Sequence, residues 1–209
     1  MLLSGSLNKK LLVEGNDDQH VIWALCKRFN IYESFGVIEC NGISNLINQL
    51  PVRFKESGIT TLGIIIDADT DIINRWNSVK DILVKQGYTP PAALPGEGLV
   101  LENTGKIRVG VWIMPNNNLN GMLEDFITFL VPKDDKLLPI INSTLDSVEE
   151  QKLNKYAALH RSKALIHSWL AWQEDPGTPL GAGITKRYLT TDEETCTLLI
   201  KWLDKLFNS

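Results

Sequence analysis

Apolar residues in this chain follow two spacings. Leu11-Leu12-Val13, Leu62-Gly63-Ile64-Ile65-Ile66 and Val109-Gly110-Val111-Trp112-Ile113-Met114 are short continuous runs, the pattern of strands covered on both faces. Between the runs, apolar positions recur every three or four residues, as at Val21, Ile22, Leu25 and Phe29, which marks one side of a helix. The pattern predicts strands over 10–14, 35–40, 60–66 and 107–114, with a further short strand at 99–101. Helices are predicted over 17–29, 44–56, 71–86 and 121–131. Gly15 permits a tight strand-to-helix turn, and Asn16 or Asp17 suits the cap of the first helix. Pro51 is expected to bend or interrupt the second helix. Residues 88–106 hold three prolines and three glycines and read as loop around the short strand. Strands alternating with helical crossovers predict an α/β fold, a mainly parallel sheet with helices on both faces.

Beyond Pro132 the pattern turns helical throughout. It predicts helix over 145–172, a rigid turn at 175–179 and a last helix over 191–207. The expected organisation is a core over 1–132 and a helical extension over 133–209 packed on it, one structural domain with no flexible linker between.

Composition narrows the class. The 209 residues are 44% hydrophobic and 22% charged, as in ordinary globular chains. No apolar run approaches the length of a membrane span. Met1-Leu2-Leu3-Ser4-Gly5-Ser6 lacks the basic start and long apolar stretch of a signal peptide. Cys26, Cys40 and Cys196 form no Cys-x-x-Cys pair, which points to reduced packing thiols and a cytoplasmic protein. The net charge of −4 argues against a broad cationic surface for nucleic acid. Local basic pairs remain as candidate phosphate contacts: Lys9-Lys10, Lys27-Arg28, Arg161 with Lys163, and Lys186-Arg187. Taken singly, each also fits a scattered solvated charge.

Acidic residues stand where the strands should run out. Glu14 follows Leu11-Leu12-Val13, Asp67 and Asp69 follow Ile64-Ile65-Ile66, and Glu124-Asp125 come shortly after the last core strand. Strand ends of a parallel sheet share one edge, where such folds place their sites. Carboxylates crowded there stay ionised only beside a cation, and all-oxygen donors suit Mg²⁺ or Mn²⁺. In an extended segment Asp67 and Asp69 would point the same way, with Asp71 extending the series. Turn-forming and helix-capping roles account for single aspartates of this kind equally well. The Asp-x-Asp-x-Asp start is not a calcium loop, since Ile72 and Val79 occupy the positions that need Gly and Glu. Gly98 to Gly105-Lys106 has the wrong spacing for a P-loop. His20, His160 and His167 read as helix surface or packing residues.

These residues carry a resemblance. Leu11-Leu12-Val13-Glu14-Gly15 before a helix, then Ile64-Ile65-Ile66-Asp67-Ala68-Asp69, resembles the Toprim domain of topoisomerases, bacterial primases, small maturation ribonucleases and the OLD (overcoming lysogenization defect) nucleases. Trp112–Asn117, Gly121–Phe126, Ser162-Lys163-Ala164 and Pro176–Gly181 extend the likeness to a small bacterial OLD-like branch over nearly the whole chain. The resemblance implies a Toprim-like (Rossmann-like) sheet and a Mg²⁺-dependent phosphodiester hydrolase, a nuclease acting on DNA or RNA. Glu14 would then be the general acid/base or a metal ligand, and Asp67 and Asp69 metal ligands. Glu124 and Asp125, with Asp71, would complete the site. Lys163 would neutralise the scissile phosphate, with Arg161, Lys186 and Arg187 as further nucleic-acid contacts. Asn116-Asn117-Asn118 departs from the pattern by offering amides where an acid would strengthen a second metal. An ABC- or AAA-type ATPase partner in phage defence is implied too, since the chain has no P-loop of its own. A homo-oligomer is a further expectation. Two alternatives compete: a Toprim-shaped adaptor that binds nucleic acid without cleaving, and a haloacid-dehalogenase-type phosphatase. The second needs the Asp pair on the first strand, and here it follows the third.

Overall fold

The computed structural model describes residues 8–209; the start Met1–Ser6, weighed above as a leader, lies outside the described residues. Five strands form one sheet: β1 (Lys9–Val13), β2 (Gly36–Glu39), β3 (Thr61–Asp67), β4 (Leu99–Leu101) and β5 (Arg108–Met114). Their order is β2-β1-β3-β5-β4. Neighbours are parallel except β4, which lies antiparallel on the β5 edge. The fold is α/β and Rossmann-like, with α1 (Asn16–Phe29), α2 (Ile43–Arg53) and α3 (Ile72–Lys85) as the helices between the first strands. Beyond β5 come α4 (Leu123–Phe129), α5 (Leu137–Glu150), α6 (Arg161–Ala171), α7 (Leu180–Thr185) and α8 (Glu194–Asn208).

The period-two alternation of the strands sorts the core into two layers. Leu12, Ile64, Ile66, Val111 and Ile113 face Leu46 and Leu50 of α2 and Trp76, Val79 and Leu83 of α3. Leu11, Val13, Ile65, Trp112 and Met114 face the other way, into a larger cluster with α1, α4, α6 and α8. Helices therefore cover both faces, which is why the strand runs are apolar without interruption.

Helix ends differ from the sequence pattern where caps intervene. The single helical stretch expected over 145–172 is two helices. Asp135 starts α5 eight residues early, its Oδ1 accepting from the N–H groups of Leu137 (2.9 Å) and Leu138 (2.6 Å). Lys152 then takes a left-handed φ of 56°, and Leu153 N–H returns to Val148 C=O at 2.9 Å, a left-handed helix stop. One 3-10 turn, Ala158–His160, leads into α6. Pro51 sits in the last turn of α2, which ends at Arg53 rather than Glu56. The short α7 was not expected, because six residues with two glycines carry no helical period.

Helix α8 approaches the sheet over two glycines. Leu11, Gly63 and Gly110 lie side by side across β1, β3 and β5. A Cβ on Gly110 would stand 2.5 Å from Leu206 Cδ2, and one on Gly63 would stand 2.8 Å from Phe207 Cζ. The missing side chains let a helix carrying Trp202, Leu206 and Phe207 seat directly on the backbone. Gly110→Ala is expected to overpack this contact and lower stability by about 1–3 kcal/mol, measured by urea denaturation. An unchanged midpoint would mean that α8 is free to shift.

Candidate metal centre

Parallel pairing of β1 and β3 sets their C-terminal ends side by side; Glu14 directly follows β1, and β3 ends on Asp67. Glu14 Oε1 accepts from the backbone N–H of Asp67 at 2.8 Å. Asp67 Oδ1 in turn accepts from the N–H of Leu123 at 3.0 Å. That N–H belongs to the first turn of α4, whose free amide groups and dipole favour an anion. Asp18, in the first turn of α1, accepts from Gly15 N–H at 3.0 Å through Oδ2. Its other oxygen is buried with no hydrogen-bond partner among the described residues.

These groups open into one cavity of about 500 Å³. Its walls carry seven carboxylates, from Glu14, Asp17, Asp18, Glu39, Asp67, Asp69 and Glu124, against one lysine, Lys163, and one histidine, His160. Such an imbalance in a partly closed space is unfavourable without further positive charge. Lys163 Nζ stands 2.9 Å from Glu124 Oε1, and the Glu124 side chain is only 4% exposed.

The pKa values record the crowding. Burial, and then the charges of Glu14 and Glu124 against its two backbone hydrogen bonds, push Asp18 up to about 7. Burial followed by the charges of Asp18, Glu14 and Glu124 holds Asp67 well above the carboxylate range. Glu14 is raised too, mainly by burial, with the Asp67 N–H and Arg75 opposing. Lys163 loses some charge stability to burial, but its hydrogen bond and attraction to Glu124 more than offset this and raise its pKa.

The loop after β3 is tethered to the start of α4. Asp69 and Gly121 exchange two backbone hydrogen bonds of 2.8 Å. Asn120 accepts from Ile72 N–H (2.9 Å) and donates to Thr70 C=O (2.7 Å). Asp67, Asp69 and Glu124 are thereby brought together, although not as strand alternation implies. Asp69 has a left-handed φ of 53°, so the strand has already ended, and its carboxylate forms an ion pair with Arg75.

Other residues singled out in the sequence lie elsewhere. Asp71 caps α3, its two oxygens taken by Asn74 N–H (2.9 Å) and Asn74 Nδ2 (2.7 Å), and it does not line the cavity. Asp125 accepts from Met122 N–H at 2.8 Å and is raised by burial. It too is outside the cavity, since successive helix residues point about 100° apart and Glu124 takes the inward position. Arg161 is spent on Asn142, Asp146 and Glu149, fastening the start of α6 to α5. Lys186 pairs with Asp175 at 2.6 Å, and neither it nor Arg187 lines the cavity. Asn117 is buried and holds the turn after β5, accepting from Ile113 N–H at 2.7 Å and donating to Gly96 C=O at 3.1 Å.

Sequence reasoning missed Asp18 as a site residue. Its signal was its place four residues after Glu14, one helical turn above the strand end, but a first-turn acid reads equally as a cap. His160 left no local signal, because the folding of distant elements brings it to the cavity.

The donor set fits a divalent cation: its groups are hard oxygens, one of them an orphaned buried oxygen, and negative charge is in excess. Glu14, Asp18 and Asp67 are the residues placed to hold it. The set is not preassembled, for among the described residues no three His, Cys, Asp or Glu side chains stand together as a finished ligand shell. One oxygen each of Glu14, Asp18 and Asp67 is instead occupied by a backbone N–H.

Comparison with known proteins gives a family without an activity. The chain belongs to the family described as "Protein of unknown function (DUF3226)", which matches residues 8–208. No curated protein and no solved structure matches it.

The raised carboxylates fix the sign of the pH response. Burial pushes Asp18 from the ordinary carboxylate value of 3.8 up to about 7, so between those values the folded chain holds a proton that the unfolded chain has released. Without metal, stability should fall as pH rises through this window, by about 1–3 kcal/mol for the coupled group. Glu56, Glu149 and Asp175 are lowered instead and act below the window. In EDTA the Tm is expected to drop from pH 5.5 to pH 8, and Asp18→Asn to flatten that drop. Mg²⁺ should raise the Tm more at pH 8 than at pH 5.5, because binding must displace protons. A Tm in EDTA that climbs over this range would contradict the charge balance described.

Proposed function

We propose that this protein is a Mg²⁺- or Mn²⁺-dependent phosphodiester hydrolase, a nuclease of the Toprim/OLD-like kind acting on DNA or RNA. The observation that supports it most is the convergence of Glu14, Asp18, Asp67 and Glu124, with Lys163, on one cavity at the C-terminal edge of a parallel sheet. Glu14, Asp18 and Asp67 hold the cation in this reading. The bound ion supplies Lewis-acid polarisation of the phosphate and a more acidic water. Glu14, raised by burial, accepts the proton of the attacking water as the new P–O bond forms. The bond to the leaving oxygen breaks, and that oxygen takes up a proton from solvent or from a protonated carboxyl of the cluster. Lys163 neutralises a non-bridging oxygen of the phosphate, exchanging its partner Glu124 for substrate. Asp69 has one oxygen paired with Arg75 and can offer only the other.

The unassembled ligand shell among the described residues favours a second reading: a Toprim-shaped adaptor that binds metal or nucleic acid without turnover. The haloacid-dehalogenase reading gains nothing, since Asp67 ends β3 and not the first strand. No helix of the described residues is long and apolar enough to cross a membrane, and a cytoplasmic site of action is part of the proposal. So is an ABC- or AAA-type ATPase partner, which would supply the cationic surface that a chain of net charge −4 lacks. A homo-oligomer would serve the same end.

Incubation with plasmid, single-stranded DNA and RNA in Mg²⁺ or Mn²⁺ tests the reading. Cleavage is expected, with Asp67→Ala and Glu14→Gln at background and Lys163→Ala slowed about 100-fold in kcat. Cleavage that survives Asp67→Ala would remove the carboxylates from the chemistry. Metal binding without turnover on any substrate would favour the adaptor. Strong cleavage by the purified chain at physiological salt, with no ATPase co-purifying from its host, would exclude the partner.

A further inference from the structure

A second cavity of about 490 Å³ adjoins the acidic one, and Asn16 and Asp17 belong to the walls of both. It runs along the outer side of α1 between that helix and α7. The α1 wall is a single stripe, Asn16, His20, Trp23 and Lys27, at spacings of four, three and four residues that keep one helix face. From Asn16 to Lys27 this stripe covers about 16 Å. Its floor is low because α7 approaches closely: a Cβ on Gly181 would meet His20 C=O at 2.6 Å, and Ala24 and Ala182 continue the small surface. Trp23 is 37% exposed, and the His20 ring packs edge-on against it at 5.3 Å and 84°, fixing its orientation. Lys27 is exposed and has no ionic partner among the described residues.

We infer that this groove binds an unpaired segment of the nucleic-acid strand leading out of the carboxylate cavity. A base stacks on Trp23 and a phosphate further along the strand rests on Lys27. The inference rests on the hydrolase reading for the direction of the strand, and it narrows the substrate class to single-stranded or locally unpaired nucleic acid. The argument is one of continuity and chemistry. The groove begins at Asn16 and Asp17, which border the acidic cavity, and then presents the partly exposed Trp23 ring, hydrogen-bonding groups and one cation, Lys27. A base lies flat on an aromatic side chain only when it has left its own stack. One lysine, rather than a basic stripe, suits a strand gripped by stacking more than by charge, in keeping with the acidic chain. A second copy of this chain or a helix of a partner protein would be held instead by apolar contact, without need of Lys27.

Two measurements on the full chain separate the groove from the acidic site. The first is fluorescence anisotropy of labelled 12-nucleotide single-stranded DNA, single-stranded RNA and a DNA duplex, in EDTA, for wild type, Trp23→Ala, Trp23→Phe and Lys27→Ala. The second is hydrolysis of bis(p-nitrophenyl) phosphate in Mn²⁺, a small diester that needs no groove. Trp23→Ala is expected to weaken single-strand binding about tenfold, and Trp23→Phe to retain most of it. Lys27→Ala is expected to weaken binding less and to reduce its salt dependence. All three variants should melt like the wild type and hydrolyse the small diester at its rate. The DNA and RNA arms show which sugar the groove accepts. Equal single-strand affinity in Trp23→Ala and wild type, or tighter wild-type binding to duplex, would overturn the inference while diester hydrolysis left the enzyme intact. Trp23-dependent binding without any hydrolysis would uphold the groove and remove the nuclease.

Discussion

The hydrogen bond from Asp67 N–H to Glu14 Oε1, 2.8 Å long, is the contact on which the rest of the site depends. It exists because β1 and β3 are parallel neighbours, with Leu12 beside Ile64, so that the residues leaving both strands meet at one edge. Asp67 then reaches the first amide of α4, and α4 carries Glu124 inward toward Lys163. The chain of contacts passes from β1 through β3 to α4 and α6. A change in the register of β1 against β3 by one residue would reverse the faces of a whole strand and separate the acids as well.

Holding several carboxylates in such a place costs stability, and the structure offsets this locally. Glu14, Asp18 and Asp67 each give one oxygen to a backbone N–H, Asp69 has Arg75, and Glu124 has Lys163. What stays uncompensated is the orphaned oxygen of Asp18 and the raised carboxyls of Asp18 and Asp67. Strain of this kind, kept in a cavity rather than relieved by an apolar substitution, makes the cavity a candidate functional site. Proton uptake relieves it, and a bound cation would relieve it too, so the proposed metal binding would be linked to pH.

The sheet also explains the reach of the helices after β5. Gly63 and Gly110 let α8 seat against β3 and β5, and α6 packs between α4 and α5. Lys163 is therefore delivered to the cavity by a helix whose position is fixed by apolar packing from Ile166, Trp169 and Leu170, and by the Arg161 clamp to α5. A residue expected to hold nucleic acid instead holds the backbone that places another.

The sequence by itself determined the strands, their mainly parallel pairing and the acids at their ends, but not their order in the sheet. Continuous apolar runs, the Gly15 turn and the helical spacing after each strand are local signals, written in neighbouring residues. It also pointed to Glu14, Asp67, Asp69, Glu124 and Lys163, which the fold gathers at one cavity. Only the tertiary structure decided between equivalent acids. Asp125 differs from Glu124 by which way one residue of a helix turn faces, and Asp71, unlike Asp67 at the end of β3, is taken up as the cap of α3. His160 at the acidic cavity and the Trp23 groove came from the meeting of elements far apart in the chain. Their roles rest on distances across the fold, and such distances leave no local spacing from which they can be read.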